Sequence, residues 1–211
     1  MAEAVKSELR YSAKQYFELV RRGVLDPDDR VELLEGVIVA MSPQSPRHAS
    51  AISRVADALR DTVGKRAVLR VQTPLIAGRR SVPEPDVTLL PGTASDYDDV
   101  HPTTALLVVE VADSSLKQDR LTKCAIYAAN GIPEYWLVNL RDDCIEVSRA
   151  LDRQRRRFRQ TLIARRGDKI EIAAFPGVSV SVDGLLPGGS GPQIRRAKTR
   201  ARSARRDDRR G

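Results

Sequence analysis

Apolar positions recur along this chain with two periods, and the places where the period changes mark its elements. Tyr16, Phe17, Leu19 and Val20 form an apolar face behind Ser12 and Gln15, which stand three apart as a capping box, so Ser12 to Arg22 reads as a helix ended by Gly23. After a turn at LDPDD, two short apolar runs flank Glu35-Gly36 in RVELLEGVIVAMSP and predict a tight hairpin closed off by Pro43. Ala49, Ile52, Val55, Ala56, Leu59 and Val63 then return at helical spacing, and Pro46 suits a first turn, so a helix is predicted over 46–63.

Strands follow at about residues 67–76, 86–90 and 105–111. The last, ALLVVEV, is an unbroken apolar run of the kind buried on both faces of a sheet, and belongs near its centre. Residues 118–130 read as a helix with Leu121, Cys124, Ala125 and Ala128 on one face and Gly131 and Pro133 as its stop. EYWLVNL returns as a strand, in which Tyr135 and Trp136 read as core, and CIEVSRA, RFRQTLIA, KIEIAA and VSVSV alternate as further short strands. The sum is an α/β (α+β) domain over 1–186: a mixed central sheet flanked by helices, with an antiparallel β extension. Residues 187–211 begin with PGGSGPQ, a linker composition, and continue as a basic tail expected to be disordered.

Charge changes this picture only at that tail. Of the net +8, nine Arg or Lys against Asp207 and Asp208 lie from Ile194 onward, so the body is nearly neutral. The tail suits sequence-independent attraction to nucleic-acid phosphates, which weakens with salt. Only two cysteines, Cys124 and Cys144, occur, with no CxxC, which points to a reducing compartment. Neither a signal-peptide core nor a run of about 18 apolar residues is seen, so a soluble, cytoplasmic protein with no membrane contact is expected.

The chemistry is sought where charge interrupts apolar runs. Glu110 is the one charge in ALLVVEV, and Asp86 stands at the mouth of another apolar strand, PEPDVTLL. Buried carboxylates are costly unless paired or holding a cation. If the two strands are neighbours, both acids can converge on one hard ion such as Mg²⁺, which favours one or two carboxylates with water completing its shell. Asp119, Lys123 and Tyr127 stand at i, i+4 and i+8 on the helix that follows. Lys123 could therefore point at the acids, orient a water and stabilise charge on a phosphate, or form an ordinary surface pair with Asp119. With two histidines at no metal-type spacing, no GxSxG, no GxxxxGK[ST] and no GxGxxG, a zinc site, a serine hydrolase and a nucleotide-binding fold are disfavoured. His48, at a helix start, reads on its own as a capping or structural residue.

VELLEGVIVAMSPQSPRH, PEPDV, LLVVEVADSS and DRLTKCAIYAANGIPEYWLVN, in that order, resemble the Uma-two family, described as putative restriction endonucleases and placed in the PD-(D/E)xK nuclease superfamily. The resemblance runs from about residue 11 to 183. It implies a restriction-endonuclease-like core and a Mg²⁺-dependent endonuclease acting on DNA, with Mn²⁺ as a substitute, in which Asp86 and Glu110 match the two metal-binding acids. The lysine that the superfamily's simplest motif has two residues after the second acid is replaced here by Ala112; the family pattern offers Lys123 instead, with Lys117 as the alternative. It also matches Glu32 and His48 to site positions, and Glu35, Asp119 and Tyr127 to supporting ones. By residue chemistry Glu32 could equally be a strand-face acid paired with Arg30 or Arg54. Cutting both strands of a duplex suits a homodimer, whose two-fold can match that of the DNA. The competing reading is a catalytically inactive module of the same fold that binds nucleic acid or a protein partner.

Overall fold

Ser12 caps the first helix, α1 (Ala13–Arg21), as a complete capping box with Gln15, as its spacing predicts. The computed structural model describes residues 10–26 and 28–188; the basic tail expected from residue 187 onward lies outside the described residues after Gly188. β1 (Val31–Leu34) and β2 (Val37–Ala40) form the expected hairpin, a two-stranded antiparallel sheet of its own. Its turn is possible because Glu35 and Gly36 both take positive φ, 52° and 87°. The long helix α2 (Pro46–Val63) is capped by Ser45, whose hydroxyl accepts from the His48 amide.

A six-stranded sheet forms the centre, in the order β3 (Val68–Val71), β4 (Val87–Leu90), β5 (Leu107–Ala112), β6 (Tyr135–Asn139), β7 (Cys144–Asp152) and β8 (Arg157–Arg165). Only β5 and β6 run parallel, so the sheet is mixed. The crossover between them carries α3 (Leu116–Gln118), a π-helical turn (Asp119–Lys123) and α4 (Cys124–Ala129), one continuous helical segment that starts two residues earlier than its apolar pattern suggests. β9 (Lys169–Glu171), β10 (Ser179–Ser181) and the short α5 (Val182–Leu185) complete the fold as the antiparallel extension. β3 is shorter than its apolar pattern: beyond Val71 the chain leaves the ladder at Gln72, whose φ is 49°.

The period-two alternation of β5 divides the core. Leu107, Val109 and Val111 pack with the apolar stripe of α2 on one face, and Val108 and Ala112 pack with Tyr127 of α4 on the other. All six residues of β5 are buried, as expected of a central strand. Glu110 has the parity of Val108 and Ala112 and is thereby delivered to the face covered by α3 and α4.

Trp136, fully buried, anchors the α2 face. Its indole Nε1 donates to Glu134 at 2.9 Å, and the same carboxylate accepts from Arg149 Nε at 2.8 Å and from the Ala173 amide at 2.8 Å. Glu134 therefore ties β6, β7 and the segment after β9 together. Glu134→Ala would leave a guanidinium, an indole and an amide without their acceptor, and is expected to cost about 3 kcal/mol in urea unfolding. A loss under about 1 kcal/mol would mean that water replaces the carboxylate without penalty.

Candidate active site

Four separate parts of the fold meet at one end of β5. Asp86 immediately precedes β4, and its Oδ2 accepts a 2.8 Å hydrogen bond from the Val111 amide, so the carboxylate takes over where the β4–β5 ladder ends. Because Val87 pairs with Val109, Asp86 falls opposite Glu110 one step further along. Glu32 reaches the same place from the hairpin. On β1, Leu33 packs toward α1 with Tyr16, while Leu34 packs on Ile126 of α4; Glu32 shares the parity of Leu34 and faces the π-turn. His48 lies one turn before Ile52 on the apolar stripe of α2, which places its Nε2 3.5 Å from Asp86 Oδ2.

Lys123 stands at the middle of this group. Its Nζ is 3.1 Å from Glu32 Oε2, 3.2 Å from Glu110 Oε1 and 3.9 Å from Asp119 Oδ1, and its side chain is only 7% exposed. The i, i+4 pair with Asp119 is thus the longest of the three and is buried, which removes the surface-pair alternative. Neither Arg30 nor Arg54 is the ion-pair partner of Glu32; Lys123 is. Tyr127, fully buried behind Glu110, donates its hydroxyl to Glu110 Oε1 at 2.6 Å. Asp119 is fixed by the Ser115 hydroxyl at 2.5 Å, and its main-chain oxygen accepts from Tyr135.

Glu32, His48, Asp86, Glu110, Asp119 and Lys123 therefore line one cavity of about 60 Å³, with Tyr127 supporting Glu110 from behind. Two expected residues lie outside it. Glu35 sits at the hairpin tip, where it is paired with Arg156 and its amide donates to Ser81 Oγ at 3.0 Å. Lys117 is exposed on the outer side of α3, because only the π-turn, two residues on, brings a lysine inward.

Glu84 was missed by the sequence reading and lines the cavity too. Its amide donates to Glu32 Oε2 at 3.4 Å. The signal was in the chain: in PEPD, Glu84 and Asp86 are two apart, and an extended backbone turns both to one side.

Five carboxylates thus face Lys123, Arg30 and His48 across the cavity. Burial pushes Glu110 well above the usual carboxylate range, opposed by Lys123 and reinforced by Asp119, Asp86 and Glu32. Burial likewise raises Asp119, against the pull of Lys123 and Ser115, and raises Glu84, with Glu32 adding to it. For Lys123 burial alone would favour the neutral amine, but Glu110, Glu32, Asp119 and Asp86 together outweigh it and hold the group above its ordinary value. Acidic side chains outnumber basic ones in the cavity, and all of their donors are hard oxygens, the kind that suits a hard cation. Among the described residues no group of three or more His, Cys, Asp or Glu side chains is arranged to hold a metal ion. The donor set fits an ion held by two carboxylates with water in its remaining positions, and the cavity volume admits such a partly hydrated ion.

Residues 13–183 match the family Uma2, described as "Putative restriction endonuclease". The chain belongs to that family. Among curated proteins no match is found. Of solved structures, the crystal structure of a "putative nuclease belonging to DUF820" from Anabaena variabilis ATCC 29413 superposes with a TM-score of 0.65, over 82% of this chain and 96% of that one. At 14% identity that likeness establishes a shared fold. Membership of Uma2 and the nuclease-like fold agree with the reading taken from the four ordered motifs. Among the described residues no helix is long and apolar enough to cross a membrane.

Proposed function

We propose that this Uma2 protein is a metal-dependent endonuclease that hydrolyses phosphodiester bonds in DNA, with Asp86 and Glu110 holding Mg²⁺, or Mn²⁺ in its place. The observation that carries the reading is the meeting of two acids from neighbouring strands with a lysine from the crossover helix in one cavity, at 3.2 Å for Lys123 and Glu110. When bound, the cation would make a water nucleophilic at neutral pH and neutralise charge on the scissile phosphate.

The chain's own residues do the rest. Asp86 is oriented by the Val111 amide and Glu110 by the Tyr127 hydroxyl, so both carboxylates are positioned before anything binds. Lys123 presents a permanent positive charge to the oxygen on which negative charge grows. Glu32 and Asp119 hold that ammonium in place, and His48, beside Asp86 at the cavity wall, is a contact for water or phosphate. The basic tail adds affinity without reading sequence. A cytoplasmic homodimer fits the two free cysteines and the two-fold symmetry of a duplex substrate.

The test is nicking of supercoiled plasmid by purified protein with Mg²⁺, with Mn²⁺ and with EDTA, beside Asp86→Asn. Nicking that requires the metal and disappears in the variant is the expected result. The inactive-module reading draws on the closed network of Lys123 with Glu32 and Glu110, which could serve folding alone; metal-independent DNA binding without cleavage on any substrate would establish it.

A further inference from the structure

Outside the acid-lined cavity the wall changes character. Ser42, Ser114, Ser115 and Gln118 line the cavity and also line an open groove of about 370 Å³, so the two are continuous. The groove adds Lys117, Leu121 and Thr122, all on the exposed side of the helical segment whose inner side carries Asp119 and Lys123. Charge reverses between the two spaces. Five carboxylates line the cavity and none lines the groove, whose single charged group is Lys117. Among the described residues Lys117 has no ion-pair partner.

We infer that this groove is the track along which the phosphodiester backbone of a DNA strand runs into the cavity, with Lys117 as its phosphate anchor; the inference rests on the nuclease reading above. A polyanion is repelled by an unscreened acid cluster, and a cation at the threshold is what draws it in. Ser115 already donates to Asp119, but the Ser42, Ser114, Gln118 and Thr122 side chains are donors of the kind that hold phosphate oxygens without reading bases. Leu121, 59% exposed, gives a sugar or base face an apolar contact at the same surface. Lys117 and Lys123 are six residues apart, about 9 Å along a helix axis, close enough to serve neighbouring phosphates of one strand. Lys117 thereby grips a phosphate close to the scissile one while Lys123 serves the scissile one itself. The two lysines that the sequence offered as rivals for one role have different roles.

The experiment is fluorescence anisotropy of a labelled 12-nucleotide single-stranded oligodeoxynucleotide with the full chain, in Ca²⁺ and in EDTA, over a salt series. Lys117→Ala is compared with Lys117→Arg and with Lys65→Ala, which removes the same charge from an exposed position at the far end of α2. Lys117→Ala is expected to weaken binding about fivefold and to lower the slope of log Kd against log salt by about 0.7, with Lys117→Arg restoring both and Lys65→Ala staying near the parent. Equal effects of Lys117→Ala and Lys65→Ala, or no DNA binding by the parent in either condition, overturns the inference. Cleavage in Mg²⁺, measured in parallel, separates the two readings: binding that depends on Lys117 without any cleavage upholds the groove and removes the enzyme, whereas cleavage with Lys117-independent binding does the reverse.

Discussion

Glu110→Gln is expected to yield a protein that resists heat better than the parent at pH 8 and no longer cleaves DNA. Glu110 is fully enclosed, and burial holds its carboxyl well above the usual range even with Lys123 at 3.2 Å. A group whose folded pKa is raised favours the fold in its protonated form, so its contribution is present in acid and lost as pH rises from the ordinary carboxylate range through the raised value. Glutamine keeps the shape, accepts the Tyr127 hydrogen bond and carries no charge to desolvate, while Lys123 retains Glu32 and Asp119. One pKa unit is worth about 1.4 kcal/mol, so a gain of at least about 1 kcal/mol at pH 8 is expected. It should shrink toward pH 5 in calorimetry with EDTA present. Activity with Mg²⁺ should fall by about three orders of magnitude, because a neutral amide is a poor ligand and cannot balance a divalent charge. A variant less stable than the parent at alkaline pH would show that attraction to Lys123 exceeds the burial cost; an active variant would remove Glu110 from the site.

Lys123→Met should act in the opposite direction on stability. Methionine fills the space of the lysine stem but leaves Glu32, Glu110 and Asp119 around an uncharged thioether, all three of them buried. Removing one partner of a buried ionic cluster costs about 3–5 kcal/mol, and that loss is expected in urea unfolding at pH 8. It should lessen as pH is lowered, since the carboxylates escape repulsion by taking up protons, and this requires Glu110 and Asp119 to rise further than they already do. Mg²⁺ should raise the melting temperature of the variant more than that of the parent, because a bound ion substitutes for the missing charge and stabilises in proportion to its occupancy. A variant within about 1 kcal/mol of the parent at pH 8, or one indifferent to Mg²⁺, would mean that the acids are balanced by something other than Lys123.

The acids were legible because they violate the pattern around them. Glu110 interrupts ALLVVEV and Asp86 opens VTLL, and a lone charge in an apolar strand has few explanations. Glu32 was readable as a motif position but not as a partner of Lys123, since hairpin and helix are 91 residues apart and no local rule couples them. Glu84 was readable from the two-residue spacing in PEPD and was passed over. Glu35 stands at the turn its sequence position predicts, and at the tip of a two-residue turn with φ of 52° its side chain leaves the face that Glu32 and Leu34 share.

The sequence by itself determined which stretches become helix and strand, since periodicity, caps and turn residues act within a few positions. It also determined that β5 is central and that charge buried there needs a partner, because no side chain can be moved off its own strand's face. Only the tertiary structure decided which lysine meets the acids. Lys117 and Lys123 are alike in local chemistry, and the π-helical turn at Asp119–Lys123, for which no sequence signal was read, rotates one inward and leaves the other facing solvent. The register of β4 on β5, the parity of Glu32 on β1 and the seating of α2 over Asp86 likewise come from packing one element on another, which is a property of the whole fold and of no segment alone.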